Sequence, residues 1–311
     1  MALLNVDVAY HTMPYMDIHT LRMFSYTSRT GATWVQKLLS DEYDNALQNY
    51  VAHPLSFRNV LRLLQAVVSG PFALAFILRN TTLSFDPERL DIYVERGLAR
   101  RMAKYLEVTE GYSLREQRHA DHIELGLWST TYLDKGSKRV EIKESLMFTA
   151  LYPIPHLWSS LSMNYLTADT YCIAYPAYTL KGYGLINPSF IAADGSLRNT
   201  VSAEKQAYEA RGFKFRLNPR SFLYPFPHTC RATGGCSIVR RFFGDRYCFT
   251  GTCARRPHYS SYRSWLPSDI NIVWWRGGGA CAPSCQEVDL LPERKEPEVF
   301  EVSAEKLPTW L

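Results

Sequence analysis

A change in periodicity near Gly126 constrains this chain more than any other feature. Upstream, apolar residues recur at helical intervals: Trp34, Leu38, Leu39 and Leu47 lie on one face of a predicted helix that opens after the run Ser28 to Ala32. Asp86-Pro87-Glu88-Arg89 reads as a second helix start, with Asp86 as the cap and Pro87 at the first position, running through Leu90, Tyr93, Val94, Leu98 and Met102 to Tyr105. A third helical stretch is expected from Leu114 to Leu125, and the alternation of Thr20 to Tyr26 predicts a strand ahead of the first helix. Downstream of Gly126, β-branched and aromatic runs are cut by Gly, Pro, Asn and Ser about every 8 to 15 positions, the signature of short strands. Residues 130–134 and 138–142 flank Lys135-Gly136-Ser137 as a hairpin, and strands are expected within 148–152, 158–166, 170–175, 213–217, 237–243, 247–251 and 270–275. Residues 192–209 are polar and read as a surface excursion. The fold class is therefore α+β, a helix-rich N-terminal part packed on a β-rich C-terminal part. Three regions follow: 1–125, 126–285 and an acidic tail at 286–311, within one integrated domain or as separate units.

Composition bounds the function classes. With 46% hydrophobic and 21% charged residues, the chain is neither intrinsically disordered nor a low-complexity scaffold. The longest nearly apolar window, Val67 to Leu78, is interrupted by Ser69, Gly70 and Pro71 and falls short of the roughly 20 residues that span a bilayer. The first residues lack a basic stretch, carry Asp7 early and show no cleavage site, so a soluble protein of the cytoplasm or nucleus is expected, with no membrane partner.

The formal charge of +5 is unevenly placed. From Arg211 to Arg276 the sequence holds twelve Lys or Arg and two acids, whereas the tail from Gln286 holds seven acids and three Lys or Arg. Fourteen aromatics interleave with the twelve cations. Cations neutralise phosphates and rings stack bases, so this segment predicts a polyanion partner such as nucleic acid, with Arg240, Arg241, Arg255, Arg256 and Arg263 as contacts. The competing reading puts the rings in a β core and folds the acidic tail back over the arginines. In the tail, Pro292, Pro297 and Pro308 argue against a strand.

Six of the seven cysteines lie in or just beyond the same segment. His228, Cys230, Cys236, Cys248, Cys253, Cys281 and Cys285 supply the ligand types of a structural zinc site, although the spacings depart from the two-residue knuckle of zinc ribbons. Buried free thiols are the other reading, because Cys172 and Cys248 alternate as core-facing strand residues would. His119, Asp121, His122 and Glu124 lack the spacing of a metalloprotease helix or a zinc deaminase and read as a solvated helix face.

Arg29-Thr30-Gly31-Ala32-Thr33-Trp34 sits where a strand is expected to run into a helix, the setting in which backbone amides and the helix dipole gather round an anion. The run resembles the phosphosulfate-binding loop of cytosolic sulfotransferases, whose pattern is Lys-Ser-Gly-Thr-Thr-Trp. That resemblance implies an enzyme holding a phosphoadenosine cofactor, with Arg29 facing the transferred group, Thr30, Gly31 and Thr33 giving amides and hydroxyls, and Trp34 against the adenine. The sequence departs from the pattern elsewhere: no Tyr-Pro precedes the loop, Arg79 is followed by Ser84 five residues on rather than eight, and only His53 lies between the two elements. On the residues alone the run reads as a strand-to-helix turn in which Gly31 supplies a permissive backbone and Thr33 caps the helix. Asn164 to Tyr178, Tyr208 to Phe213 and Pro225 to Cys230 resemble uncharacterised proteins of mushroom-forming fungi, a likeness that carries no activity. Three classes thus stand: a polyanion-binding protein with or without zinc, a sulfotransferase-like enzyme, and an interaction protein without chemistry.

Overall fold

A computed structural model describes residues 6–119, 126–222, 234–236, 239–254, 266, 269–276 and 298–303. It begins with four helices, α1 (Val6–Thr12), α2 (Ile18–Ser25), α3 (Arg29–Gln48) and α4 (Pro54–Leu63). The strand expected at Thr20 to Tyr26 is thus a helix. Its side chains fit either period, but the Asp17 carboxylate accepts the Thr20 amide at 2.7 Å and fixes a helix start, and Ile18 and Leu21 turn inward a helical interval apart.

The chain then enters a mixed sheet through β1 (Val67–Ser69), α5 (Gly70–Ile77), β2 (Leu90–Val94), α6 (Ala99–Val108) and β3 (Ser113–His119). The helix expected from Asp86 to Tyr105 is therefore split into a strand and a later helix. β2 alternates Leu90, Ile92 and Val94 with Asp91 and Tyr93 and pairs on both sides; Gly97, at φ +87°, makes the turn before α6. The helix expected from Leu114 is likewise the strand β3, ending at His119, and 120–125 lie outside the described residues. Next come β4 (Leu127–Lys135) and β5 (Lys138–Ser145), the expected hairpin, closed by Gly136 at φ +59°.

From there follow β6 (Asn164–Leu166), β7 (Thr170–Ile173), α7 (Pro176–Thr179), β8 (Tyr183–Leu185), α8 (Asn199–Ala210), β9 (Lys214–Arg216), β10 (Arg241–Phe242), β11 (Phe249–Thr252), β12 (Ile270–Trp275) and β13 (Glu298–Ser303). Residues 148–152 form turns rather than a strand, and the polar stretch at 192–209 carries α8, whose Val201 and Tyr208 are buried.

One eight-stranded sheet, in the order β11-β7-β6-β1-β2-β5-β4-β3, joins strands from either side of residue 126. Every pairing in it is antiparallel except β2 with β5. Alternation sends Val68, Ile92, Ile142, Leu166 and Ile173 to one face, where they pack with Leu39, Tyr43, Phe57 and Met102 of the N-terminal helices. Val67, Tyr93, Tyr165 and Cys172 point to the opposite face, under Tyr175, Phe243 and Trp274 of the C-terminal part. The α+β class is thus a sheet covered by helices on one side and, over its β7–β2 half, by the C-terminal layer on the other.

Buried ion pairs join the layers. Arg58 of α4 donates to Ser40 Oγ and Asp44 Oδ1 of α3 and to the carbonyls of Ala168 and Cys253. The acidic tail contributes a strand: β13 follows Pro297 directly and pairs with β12 from Ile270↔Ser303 to Trp275↔Glu298. Proline ahead of an edge strand removes no ladder bond, which is why the three prolines did not prevent it. No helix among the described residues is long and apolar enough to cross a membrane.

Candidate functional site

The residues of the cofactor-like loop form the first turn of α3. Ser28 Oγ already accepts the Gly31 amide at 2.9 Å, and Gly31 is buried so tightly that a Cβ there would lie 3.1 Å from the Phe24 carbonyl oxygen. Thr33 Oγ1 donates to the Arg29 carbonyl rather than capping the helix, and the Trp34 ring packs against Tyr10 with centroids 5.4 Å apart. Arg29, Thr30 and Thr33 are exposed. A helix, not a strand, precedes this turn, so the geometry expected of a phosphate loop between strand and helix does not form.

Of the expected zinc ligands, His228, Cys230, Cys281 and Cys285 lie outside the described residues. Cys236, Cys248 and Cys253 are free thiols in different surroundings. The Cys253 thiol is pushed up to about 12 by burial, next to Arg58 and Asp169. The Cys248 sulfur turns inward to Cys172 and Arg241, and burial together with the Cys172 thiol raises its pKa well above the usual range. No three His, Cys, Asp or Glu among the described residues are grouped to hold a metal ion.

Of the expected polyanion contacts, Arg255, Arg256 and Arg263 lie outside the described residues. Arg241 is fully buried: it donates to both oxygens of Asp245 and to the carbonyls of Ala174 and Gly234, with its guanidinium 4.5 Å from the Tyr175 ring centroid. A cation so enclosed reaches no external phosphate. Arg276 is buried in the same way, on the carbonyls of Ile186 and Gly235. Phe213, Phe215, Phe242, Phe243, Trp274 and Trp275 of the same segment are core residues. Arg240 remains half-buried, 5.9 Å from the Trp275 ring centroid.

An accessible combination of rings and cations lies on the β3–β4–β5 end of the sheet. Its inner face packs on α6 through Leu133, Val140 and Ile142, while the outer face carries Thr130 and Tyr132 of β4 beside Glu141 and Lys143 of β5; Trp128 stands at a bulge in β4, between the Leu127↔Ser145 and Ser129↔Glu144 pairs, with the His119 ring of β3 6.0 Å away. Trp128 is 41% exposed, with the Arg96 guanidinium 4.1 Å from its ring centroid. Arg115 and Arg118 of β3 lie 5.2 and 5.5 Å from the Tyr132 centroid. Three exposed ion pairs steady these cations: Arg115 and Arg139 on Asp134 at 3.4 and 3.9 Å, and Arg118 on Glu116 at 2.5 Å. Such pairs contribute little to stability and exchange readily for another anion.

Toward β2 this face closes over a charged network. Asp91 and Glu141 stand opposite each other in the parallel register of β2 and β5. Lys143 Nζ lies 2.6 Å from Asp91 Oδ2 and 3.6 Å from Glu141 Oε2. On the other side, Arg89 Nε lies 2.9 Å from Asp91 Oδ1 and 3.7 Å from Glu141 Oε1. Two cations thus bridge two carboxylates. Burial opposes ionisation of Asp91, but Lys143 and Arg89 outweigh it and hold its carboxyl below the usual range; Glu141, buried beside Asp91, is raised. Lys143 and Arg89 thus favour the charged form of Asp91 and occupy both of its oxygens, so the network serves to order the sheet.

Comparison with protein-family models, with characterised proteins and with solved structures finds no match. The sheet face was hidden in the sequence because β2 and β3 read as helices. The available signal was the alternation of Thr130 and Tyr132 with Ser129, Thr131 and Leu133 in the hairpin, which puts Tyr132 on the outer face; the bulge at Trp128 leaves no such signal.

Proposed function

We propose that the chain binds single-stranded nucleic acid along the β3–β4 edge of the sheet, at Trp128 and Tyr132. The reading rests on one observation: among the described residues two rings of β4 are partly open, each with arginine guanidinium against it, Arg96 on Trp128 and Arg115 and Arg118 on Tyr132. Unpaired bases stack on such rings and on guanidinium planes, and the same cations neutralise the intervening phosphates. Trp128 and Tyr132 are roughly 13 Å apart along the strand at about 3.3 Å per residue, so they would hold non-adjacent bases of one extended chain. The contact surface is thereby moved from the cysteine-bearing segment, whose described cations and rings are largely buried, to the sheet. The function proposed is binding.

The test is fluorescence anisotropy with a labelled single-stranded oligonucleotide, with the full chain as titrant. Three phosphate contacts, at Arg96, Arg115 and Arg118, give an expected slope of log K against log salt of about −2. Trp128→Ala should weaken binding about 5- to 150-fold, the equivalent of about 1–3 kcal/mol for one stacked base. Affinity indifferent to salt, or equal in the wild type and Trp128→Ala, would contradict the proposal.

A further inference from the structure

A separate cavity opens between α3, α5 and the segment that leads from α5 to β2. Its volume is about 280 Å³, in the range of a site for a small ligand. Phe72, Phe76 and Phe85 give it aromatic walls, and its polar lining includes Glu42, Arg79 and Asp86. The cation among these is already compensated: Arg79 pairs with the Glu42 carboxylate and donates to the carbonyls of Pro14 and Met16. Asp86 is exposed at the rim and makes no ion pair among the described residues. The lining therefore carries one carboxylate in excess.

Two further observations bear on the site. Asn80, on the lining, holds φ at +53°, a conformation unusual for a residue other than glycine, and donates from its side chain to the Pro14 carbonyl. The chain is thus bent sharply where it passes from the Arg79 side of the cavity to the Asp86 side. Burial pushes the Glu42 carboxyl up against the opposing pull of Arg79, so a further positive charge nearby would be welcomed by the ionised form.

The geometry points to this cavity as a binding site for a small organic cation, a primary ammonium group on a flat or short apolar body. The ammonium would lie between Asp86 and the Glu42 end of the ion pair, and the apolar body against the faces of Phe72, Phe76 and Phe85. Cations are drawn to aromatic faces as well as to carboxylates, and the effect grows as water is excluded. A carboxylate-bearing ligand would instead meet Asp86 and find the Arg79 guanidinium occupied.

Isothermal titration calorimetry of the full chain with phenethylamine, 2-phenylethanol and phenylacetate separates charge from shape, because the three probes share a ring and a short arm. Phenethylamine should bind at least about tenfold more tightly than either of the others, as expected when a charged hydrogen bond is lost. Asp86→Asn, a change at an exposed position, should weaken the amine about tenfold while leaving the thermal midpoint in place. Glu42→Gln should weaken it as well. Absence of phenethylamine binding, equal binding of the three probes, or an Asp86→Asn variant that binds the amine as the wild type does would each overturn the assignment.

Discussion

Gly70 and Asp91 should be strongly coupled, and the coupling can be worked out from their geometry. Gly70 opens α5 at φ +66°, and a Cβ placed on it would lie 2.5 Å from Asp91 Oδ2. That oxygen cannot simply retreat, because it accepts from Lys143 Nζ at 2.6 Å while its twin is held by Arg89. Gly70→Ala therefore combines a left-handed backbone penalty of about 1–2 kcal/mol with the displacement of a buried charge, for a total of about 2–4 kcal/mol. Asp91→Ala alone should cost about 3–5 kcal/mol, since it leaves Lys143 and Arg89 with only the more distant Glu141. In the double variant the collision is gone, so Gly70→Ala should add only its backbone penalty to the cost of Asp91→Ala. The four proteins are compared by equilibrium unfolding in urea, with unchanged slopes as the check on the transition. A favourable coupling of at least about 1 kcal/mol is expected. Strict additivity, or a Gly70→Ala cost below about 1 kcal/mol, would refute the reasoning.

Three further outcomes follow from the same chemistry. Arg241→Ala should destabilise by about 3–5 kcal/mol in urea unfolding because it leaves the buried Asp245 carboxylate without its counter-charge, held only by the amides of Phe242, Tyr247 and Cys248; a cost below about 1 kcal/mol would contradict this. The Cys248 and Cys253 thiols, both raised by burial, should resist iodoacetamide at pH 8 in the folded protein and react once it is unfolded, as read by peptide mass spectrometry; labelling at the rate of an open thiol would contradict their placement. Because the Asp91 carboxyl is held below its ordinary value, its stabilisation is present above the usual aspartate range and is lost as pH falls through its depressed pKa. Glu141 is raised and has the opposite sign, so mild acidification alone should not weaken this network. Unfolding free energies measured from pH 7 to pH 3 should show the loss in the wild type below about pH 4 and a smaller one in Asp91→Asn.

Local signals carried well from sequence to structure, and non-local ones did not. The β4–β5 hairpin was legible because the alternation and the Gly136 turn lie within a few residues of each other. β2 was not, because the partners that make it a strand, β1 and β5, lie about twenty residues before it and about fifty after it, and pairing overrode the helix start suggested by Asp86 and Pro87. α2 was misread although Asp17 stood in capping position, because Thr20 to Tyr26 fits both periods. Cys172 was rightly placed in the core from its alternation. The basic segment misled for a related reason: its net charge is visible in composition, but the enclosure of Arg241 by Asp245, Tyr175 and Tyr247 depends on β10, α7 and the following turn coming together. Likewise, the candidate face needs Arg96, Arg115 and Arg118 to meet rings from another strand, which only the sheet brings about.

The central claim is that unpaired bases rest on the Trp128 and Tyr132 rings of β4. Ultraviolet cross-linking of the full chain to a single-stranded oligonucleotide, with the adducts mapped by peptide mass spectrometry, tests it most directly. The account predicts adducts at Trp128 and Tyr132, lost from the first position in Trp128→Ala. Adducts confined to peptides outside residues 113–143, or none at concentrations that saturate binding, would contradict it.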